Sequence, residues 1–215
     1  MYRQKIRAFA REASFPIESY GTDHFVLTAQ MIGELRVKSY LEQWQAALEN
    51  KWFHIKMEDH SLFLFNEGTS PSYSFIHCPL DVITFNDFLK SLGQENNPSN
   101  RRRLGTQYAE VLETASERRH VTPIRFDYDE NGYRPGVHPV AHIHVGLSNQ
   151  VRISTNKMSA VSFVLFVMRH MYPSCWETLL ARSSMRSFVS SIREPSTKVP
   201  QKYWDALDEV ELHFR

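Results

Sequence analysis

The chain is predicted to be an α+β protein: a mainly antiparallel sheet of about seven strands with helices packed on one side. Three observations lead there. Over residues 51–158 apolar and polar side chains repeatedly alternate with period two, the spacing of strands that cover one face and wet the other. Turn formers separate these runs, which suits antiparallel neighbours. Residues 159–171 are apolar nearly all round, as expected of a helix buried against a sheet. At 215 residues the chain can bury a full core, and the expected organisation is a single domain over 1–215. Its parts are a helical segment (1–50), the sheet with one inserted helix (51–158), and helices with a final strand (159–215).

Residues 4–13 suit a short amphipathic helix closed off before Pro16. A longer helical pattern runs over 28–49, where Ile32, Leu35, Tyr40, Leu41, Trp44 and Leu48 form an irregular stripe that Gly33 and Val37 interrupt. From Lys51 the period changes, and 52–57, 62–65 and 73–78 read as a three-strand meander. Phe85, Phe88, Leu89 and Leu92 return to helical spacing between a Thr84 cap and a Gly93 stop. Residues 94–103 are polar and expected to be an exposed loop. Strand character resumes over 105–114, where Tyr108 and Glu110 could share the polar face, and over 122–129. After a turn-rich loop, 138–146 and 151–154 extend the sheet. Ser159 caps the apolar helix, Pro173 interrupts it, and 174–189 gives a second helix. Residues 210–215 alternate and are expected to return as a strand.

The chemistry gathers on two of these strands. On the first, Arg125, Asp127 and Asp129 share a face while Phe126 and Tyr128 share the other. On the second, His142 and His144 oppose Ala141, Ile143 and Val145. The loop from Glu130 to Gly136 would fold the two together as a hairpin with a long tip. Arg152 and Ser154 could join the polar face from the next strand. Acids, imidazoles and an arginine on one sheet face suit phosphodiester chemistry: arginine forks grip phosphate, and histidine transfers protons near neutrality. The candidate catalytic residues are therefore Arg125, Asp127, Asp129, His138 and His142. Asp127, Asp129, His138, His142 and His144 could also hold a divalent metal, although their spacing alone is a weak signal and no cofactor follows from it. The same alternation is equally what any half-wet antiparallel sheet displays, with Asp–Arg and Asp–His pairs stabilising its wet face.

A net charge near +1 argues against a general polyanion binder. Arg152 and the run Arg101-Arg102-Arg103 remain as local phosphate contacts. Two cysteines, Cys78 and Cys175, are too few for a disulfide framework and read as core thiols in a reducing, cytoplasmic setting. No secretory signal is visible. The most apolar stretch, 161–168, falls far short of the roughly 20 residues that span a bilayer, so no membrane partner is expected. There is no P-loop, GxGxxG or GxSxG motif.

Pro123-Ile124-Arg125-Phe126-Asp127-Tyr128-Asp129, His138-Pro139, residues 142–146, Val151-Arg152-Ile153 and the helix reaching Met168-Arg169-His170-Met171-Tyr172 together resemble a bacterial family of unknown function. Its signature is Arg-Phe-Asp-Tyr-Asp followed by His-Pro-x-x-His. Residues 40–65, an acidic helix followed by Glu58-Asp59-His60-Ser61-Leu62, resemble its N-terminal half. The chain departs from the family pattern at His144, where a small hydroxyl residue is usual, and at Val151, where cysteine is common. Members are found beside a helicase in antiphage defence loci, which implies a cytosolic bacterial protein with a helicase partner; no reaction is attached to the family. The leading expectation is a defence protein that acts on nucleic acid as a nuclease-type effector. A non-catalytic adaptor or sensor that binds the helicase or a phage component, and a metal-independent RNase toxin, are the alternatives.

Overall fold

A computed structural model describes residues 2–21, 25, 28–148, 150–181, 187, 189–190 and 197–210. In chain order these form α1 (Tyr2–Ala13), β1 (Ile17–Tyr20), α2 (Ala29–Arg36), α3 (Tyr40–Glu49), β2 (Ile55–Met57), β3 (Leu62–Asn66) and β4 (Ser72–Ile76). There follow α4 (Phe85–Ser91), α5 (Pro98–Glu113), β5 (Ile124–Tyr128), β6 (Ala141–Val145), β7 (Ile153–Ser154), α6 (Ala160–Met171) and α7 (Pro173–Leu180), then two 3-10 turns, Gln201–Tyr203 and Ala206–Val210. The seven strands form one sheet in the order β1-β2-β3-β4-β5-β6-β7. From β4 to β7 each pairs antiparallel with the next, so the expected α+β class holds. No helix among the described residues is long and apolar enough to cross a membrane.

The chain divides into two compact units. The first comprises Met1–Ile17, Phe63–Ile76 and Thr122–Arg215. Its core lies on the apolar face of β3 to β6. There Phe126 stacks on Tyr73, which stands opposite it in register, and Phe63 packs on Phe75. The fully buried Phe163 of α6 closes over them, edge-on to Phe63 and tilted against Tyr73. Ser159 begins α6 by accepting from the Ser162 amide, and Val161, Val164, Val167 and Met168 bury the helix as its composition requires. Helix α1 packs on α6 and α7, with Phe15 edge-on to Tyr172. Helix α7 begins at Pro173, one residue before the expected 174–189 helix, and ends at Leu180. Several residues that would have continued it, among them 182–186, lie outside the described residues. So do 211–215 of the expected terminal strand, while Val210 ends a 3-10 turn.

The second unit comprises Glu18–Leu62 and His77–Val121. It contains the largest corrections to the sequence reading. Of the 105–114 segment expected to be extended, 105–113 are helical, and the loop expected over 94–103 ends at Pro98, where the same helix, α5, begins. Asn97 caps it by accepting from the Asn100 amide, and Pro98 takes the first turn, where a missing N–H costs nothing. Leu104 and Tyr108, four residues apart, are the buried pair. They pack with Phe88 and Leu89 of α4, whose Thr84 cap and Gly93 stop are both present. Tyr108 is therefore a core residue and Glu110 lies exposed on α5, not on a shared sheet face. The 28–49 helix is two helices, because Ser39 and Glu42 form a capping box that starts α3 afresh. Strand β1 was not anticipated; four residues, two of them exposed, carry too little periodicity to see.

A buried polar node anchors this unit. His60 adopts φ of 65°, its Nε2 lies 2.9 Å from the Tyr108 hydroxyl, and that hydroxyl donates to the Ile83 carbonyl at 2.8 Å. The tyrosine proton is thus committed to Ile83, and His60 supplies the other one. Trp44 donates to the His60 carbonyl, and the Ser61 hydroxyl accepts from the Cys78 amide. Cys78 is buried, and neither it nor the half-buried Cys175 of the first unit forms a disulfide.

Candidate functional site

The register of β5 and β6 decides which side chains meet. Arg125 stands opposite His144 and Asp127 opposite His142, while Phe126 opposes Ile143 on the core side. On the flanks Ser72 of β4 faces Asp127 and Ser154 of β7 faces His142. The expected polar face therefore forms, and it lines a hollow of about 300 Å³ whose walls include Arg125, Asp127, Asp129, His138, His142, His144 and Arg152. Ser70 and Pro71 of the β3–β4 turn, Ser72 of β4 and Tyr128 of β5 complete it.

Asp127 is the hub. The Arg125 Nε donates to its Oδ2 at 2.7 Å, with His144 Nε2 at 3.4 Å and His142 Nε2 at 3.9 Å from the same oxygen. Burial alone would raise its carboxyl. The hydrogen bond from His144, the Arg125 guanidinium and a hydrogen bond from Ser72 overcome that and hold it at about 2. His142 is 1% exposed and His144 3%. Burial lowers His142 to about 4, so it is neutral at physiological pH. His138 is also lowered, first by burial and then by the Arg152 guanidinium. The three imidazoles follow one another edge-to-face, with 4.8 Å between the rings of His138 and His142 and 4.8 Å between those of His142 and His144. Among the described residues, the buried side-chain nitrogens without a partner are His138 Nδ1, His144 Nδ1 and Arg152 Nε. Such groups cost about 1–3 kcal/mol each when left unmade.

The loop between β5 and β6 places His138. Asp129 Oδ1 accepts from the Asn131 and Gly132 amides at 3.1 and 3.0 Å, so its first task is to hold the turn. Arg134 and His138 exchange both backbone hydrogen bonds across an inner turn in which Gly136 takes φ of 64°. From outside, the buried Asp208 carboxylate accepts from the Tyr133 hydroxyl and the Gly136 amide. Tyr203 donates to Glu130. At Gly132 an added Cβ would run into Asp129 Oδ2 and come 3.1 Å from His138 Cε1. Gly132→Ala is therefore expected to shift His138 and to lower stability by about 1–3 kcal/mol, read as a lower thermal midpoint alongside unchanged far-ultraviolet dichroism.

The hollow thus gathers Arg125, Asp127, Asp129, His138, His142, His144 and Arg152 from the sequence-derived candidates. Arg101, Arg102 and Arg103 do not line it; they lie exposed on α5 in the second unit. Arg101 donates to Asn96 and stacks over Phe85, and Arg103 donates to Gln94 and Asn100. Ser72 was missed. The alternation of Ser72 and Ser74 against Tyr73 and Phe75 was the available signal, but using it required the β4–β5 register.

The protonation states set a pH dependence. His142, and His60 in the second unit, both fall from 6.5 to about 4. An unfolded chain therefore takes up their protons first as pH drops. Their contribution to stability is complete above pH 6.5 and is lost progressively toward pH 4, at up to about 1.4 kcal/mol per pH unit and group. Asp127, lowered from 3.8, adds stability that disappears only below that value. The thermal midpoint in chelator-containing buffer is expected to fall continuously from about pH 7 to pH 4; a flat profile would contradict two neutral buried imidazoles.

Residues 9–214 match the family model for an uncharacterized conserved protein (DUF2290), and the chain belongs to that family. No curated protein and no solved structure matches it.

Proposed function

We propose that this family member cleaves phosphodiester bonds in nucleic acid at the Arg125/Asp127/His142 hollow, as a nuclease-type effector. The observation that carries the reading is the convergence of two buried imidazoles and a carboxylate on one open hollow with an arginine on either flank. The hollow has room for a phosphoryl group and its immediate surroundings rather than for a whole folded substrate. Arg152 lines it and has an Nε without an acceptor, which a phosphate oxygen would satisfy. Arg125 supplies the second guanidinium. Water attacks phosphorus, the bond to the leaving oxygen breaks, and the proton that one imidazole takes from the water is passed on to the leaving oxygen. Asp127 orients the imidazoles and offsets the charge they acquire. The proposed setting, bacterial antiphage defence in company with a helicase, rests on the signature resemblance alone.

The test is to incubate the purified chain, alone and with the neighbouring helicase, with single- and double-stranded DNA and with RNA, in magnesium, manganese, zinc or chelator. Cleavage that disappears in Asp127→Asn and His142→Ala supports the reading. Intact nucleic acid in every condition, with helicase binding undiminished, would replace it with the adaptor.

A further inference from the structure

His142 Nδ1 lies 2.7 Å from the Pro139 carbonyl oxygen. A carbonyl only accepts, so Nδ1 carries the proton and Nε2 presents a bare lone pair. That lone pair faces the Asp127 carboxylate at 3.9 Å, beyond hydrogen-bond range. Two electron-rich atoms therefore confront one another inside the protein, with His144 Nε2 beside them at 3.4 Å from the same oxygen. One ligand atom from each of Asp127, His142 and His144 falls within 4.8 Å of the others.

We propose that Asp127, His142 and His144 bind a divalent transition-metal ion of the zinc class, leaving a coordination position open to the hollow. Ligand atoms about 2.1 Å from a tetrahedral ion stand about 3.4 Å apart. The His144–Asp127 edge already has that length, and the His142–Asp127 edge must shorten by about half an ångström. Two imidazoles and one carboxylate favour zinc-like ions over magnesium or calcium, which prefer oxygen ligands throughout. The Pro139 carbonyl does for His142 what the outer partner of a metal-bound histidine does: it fixes the tautomer and aims the ring. Arg125 holds Asp127 Oδ2 in the absence of an ion. Its side chain is 38% exposed and can release that oxygen to turn toward solvent or a phosphate. The inference shares its hollow with the proposed cleavage site but does not depend on cleavage. Such an ion would supply a more acidic water; His142 would then serve as a ligand, and His138 would be the imidazole left to move protons.

Tag-free protein, stripped with chelator and titrated with cobalt(II), should develop visible ligand-field bands that saturate at one equivalent, vanish on adding zinc and persist in excess magnesium. His142→Ala, His144→Ala and Asp127→Asn should each weaken cobalt binding by at least about tenfold, whereas the exposed His120→Ala should leave it unchanged. If a variant fails to fold, ring-nitrogen resonances of the wild-type protein decide: zinc must move those of His142 and His144 and leave His120 alone. Absence of bands, or binding equally strong in the three folded variants, overturns the proposal. A bound ion with nucleic acid left intact retires the cleavage reading and keeps the site; cleavage without any bound ion does the reverse.

Discussion

Asp127→Asn should lower nucleic-acid cleavage by about 100-fold to 10,000-fold, the range that a positioned proton-transfer system contributes, while leaving the fold intact. The amide has nearly the carboxylate's shape, so packing is conserved and the charge is the variable. What disappears is the anion on which Arg125 Nε and His144 Nε2 converge at 2.7 and 3.4 Å. Both donors reach the same oxygen, so an asparagine either offers them a neutral carbonyl, a weaker acceptor, or turns its NH₂ group against both. The imidazoles then lose both their orientation and the charge that would stabilise their protonated forms. Arg125→Gln should act differently, chiefly raising KM, because the guanidinium would grip phosphate in ground and transition states alike. Paired kcat and KM measurements on the two variants separate these roles; equal losses of kcat in both would indicate that Asp127 serves only to place Arg125.

Phe163→Ala should cost about 3–5 kcal/mol in urea unfolding, the usual penalty for emptying a phenylalanine site in a packed core. Phe163 is completely buried, and its ring meets Phe63 and Tyr73, so no neighbour on the sheet can swing in to fill the void without leaving its own contacts. The loss is a large fraction of a typical domain's 5–15 kcal/mol. Because Tyr73 and Phe126 are stacked on the face opposite Asp127, cleavage measured well below the lowered unfolding transition should survive. A variant as stable as the parent would mean that α6 does not close this core.

These two expectations use different layers of information, and the sequence disclosed them unequally. Alternation in Arg125-Phe126-Asp127-Tyr128 and in His142-Ile143-His144 was enough to sort acids and imidazoles from the core face, because a strand's side-chain period is fixed by backbone geometry. The apolar run of α6 was legible for the same reason. Residues 105–114 were not: the helical stripe of Leu104, Tyr108, Val111 and Leu112 begins before that window, and the decisive evidence for a helix was the Asn97-Pro98 start seven residues earlier. Ser72 escaped because its place opposite Asp127 depends on a pairing between segments about fifty residues apart, which local pattern cannot report. The Asp129 carboxylate looked like a reactive group and is first a turn brace, since aspartate is equally suited to both tasks.

The clasp on the β5–β6 loop has a temporal consequence. Asp208 reaches back 75 residues to Tyr133 and 72 to Gly136, so during synthesis the strands bearing Asp127 and His142 are complete long before this fastener leaves the ribosome. Until then, the segment carrying His138 lacks its outer tether, and the wall it contributes is among the last parts of the molecule to settle.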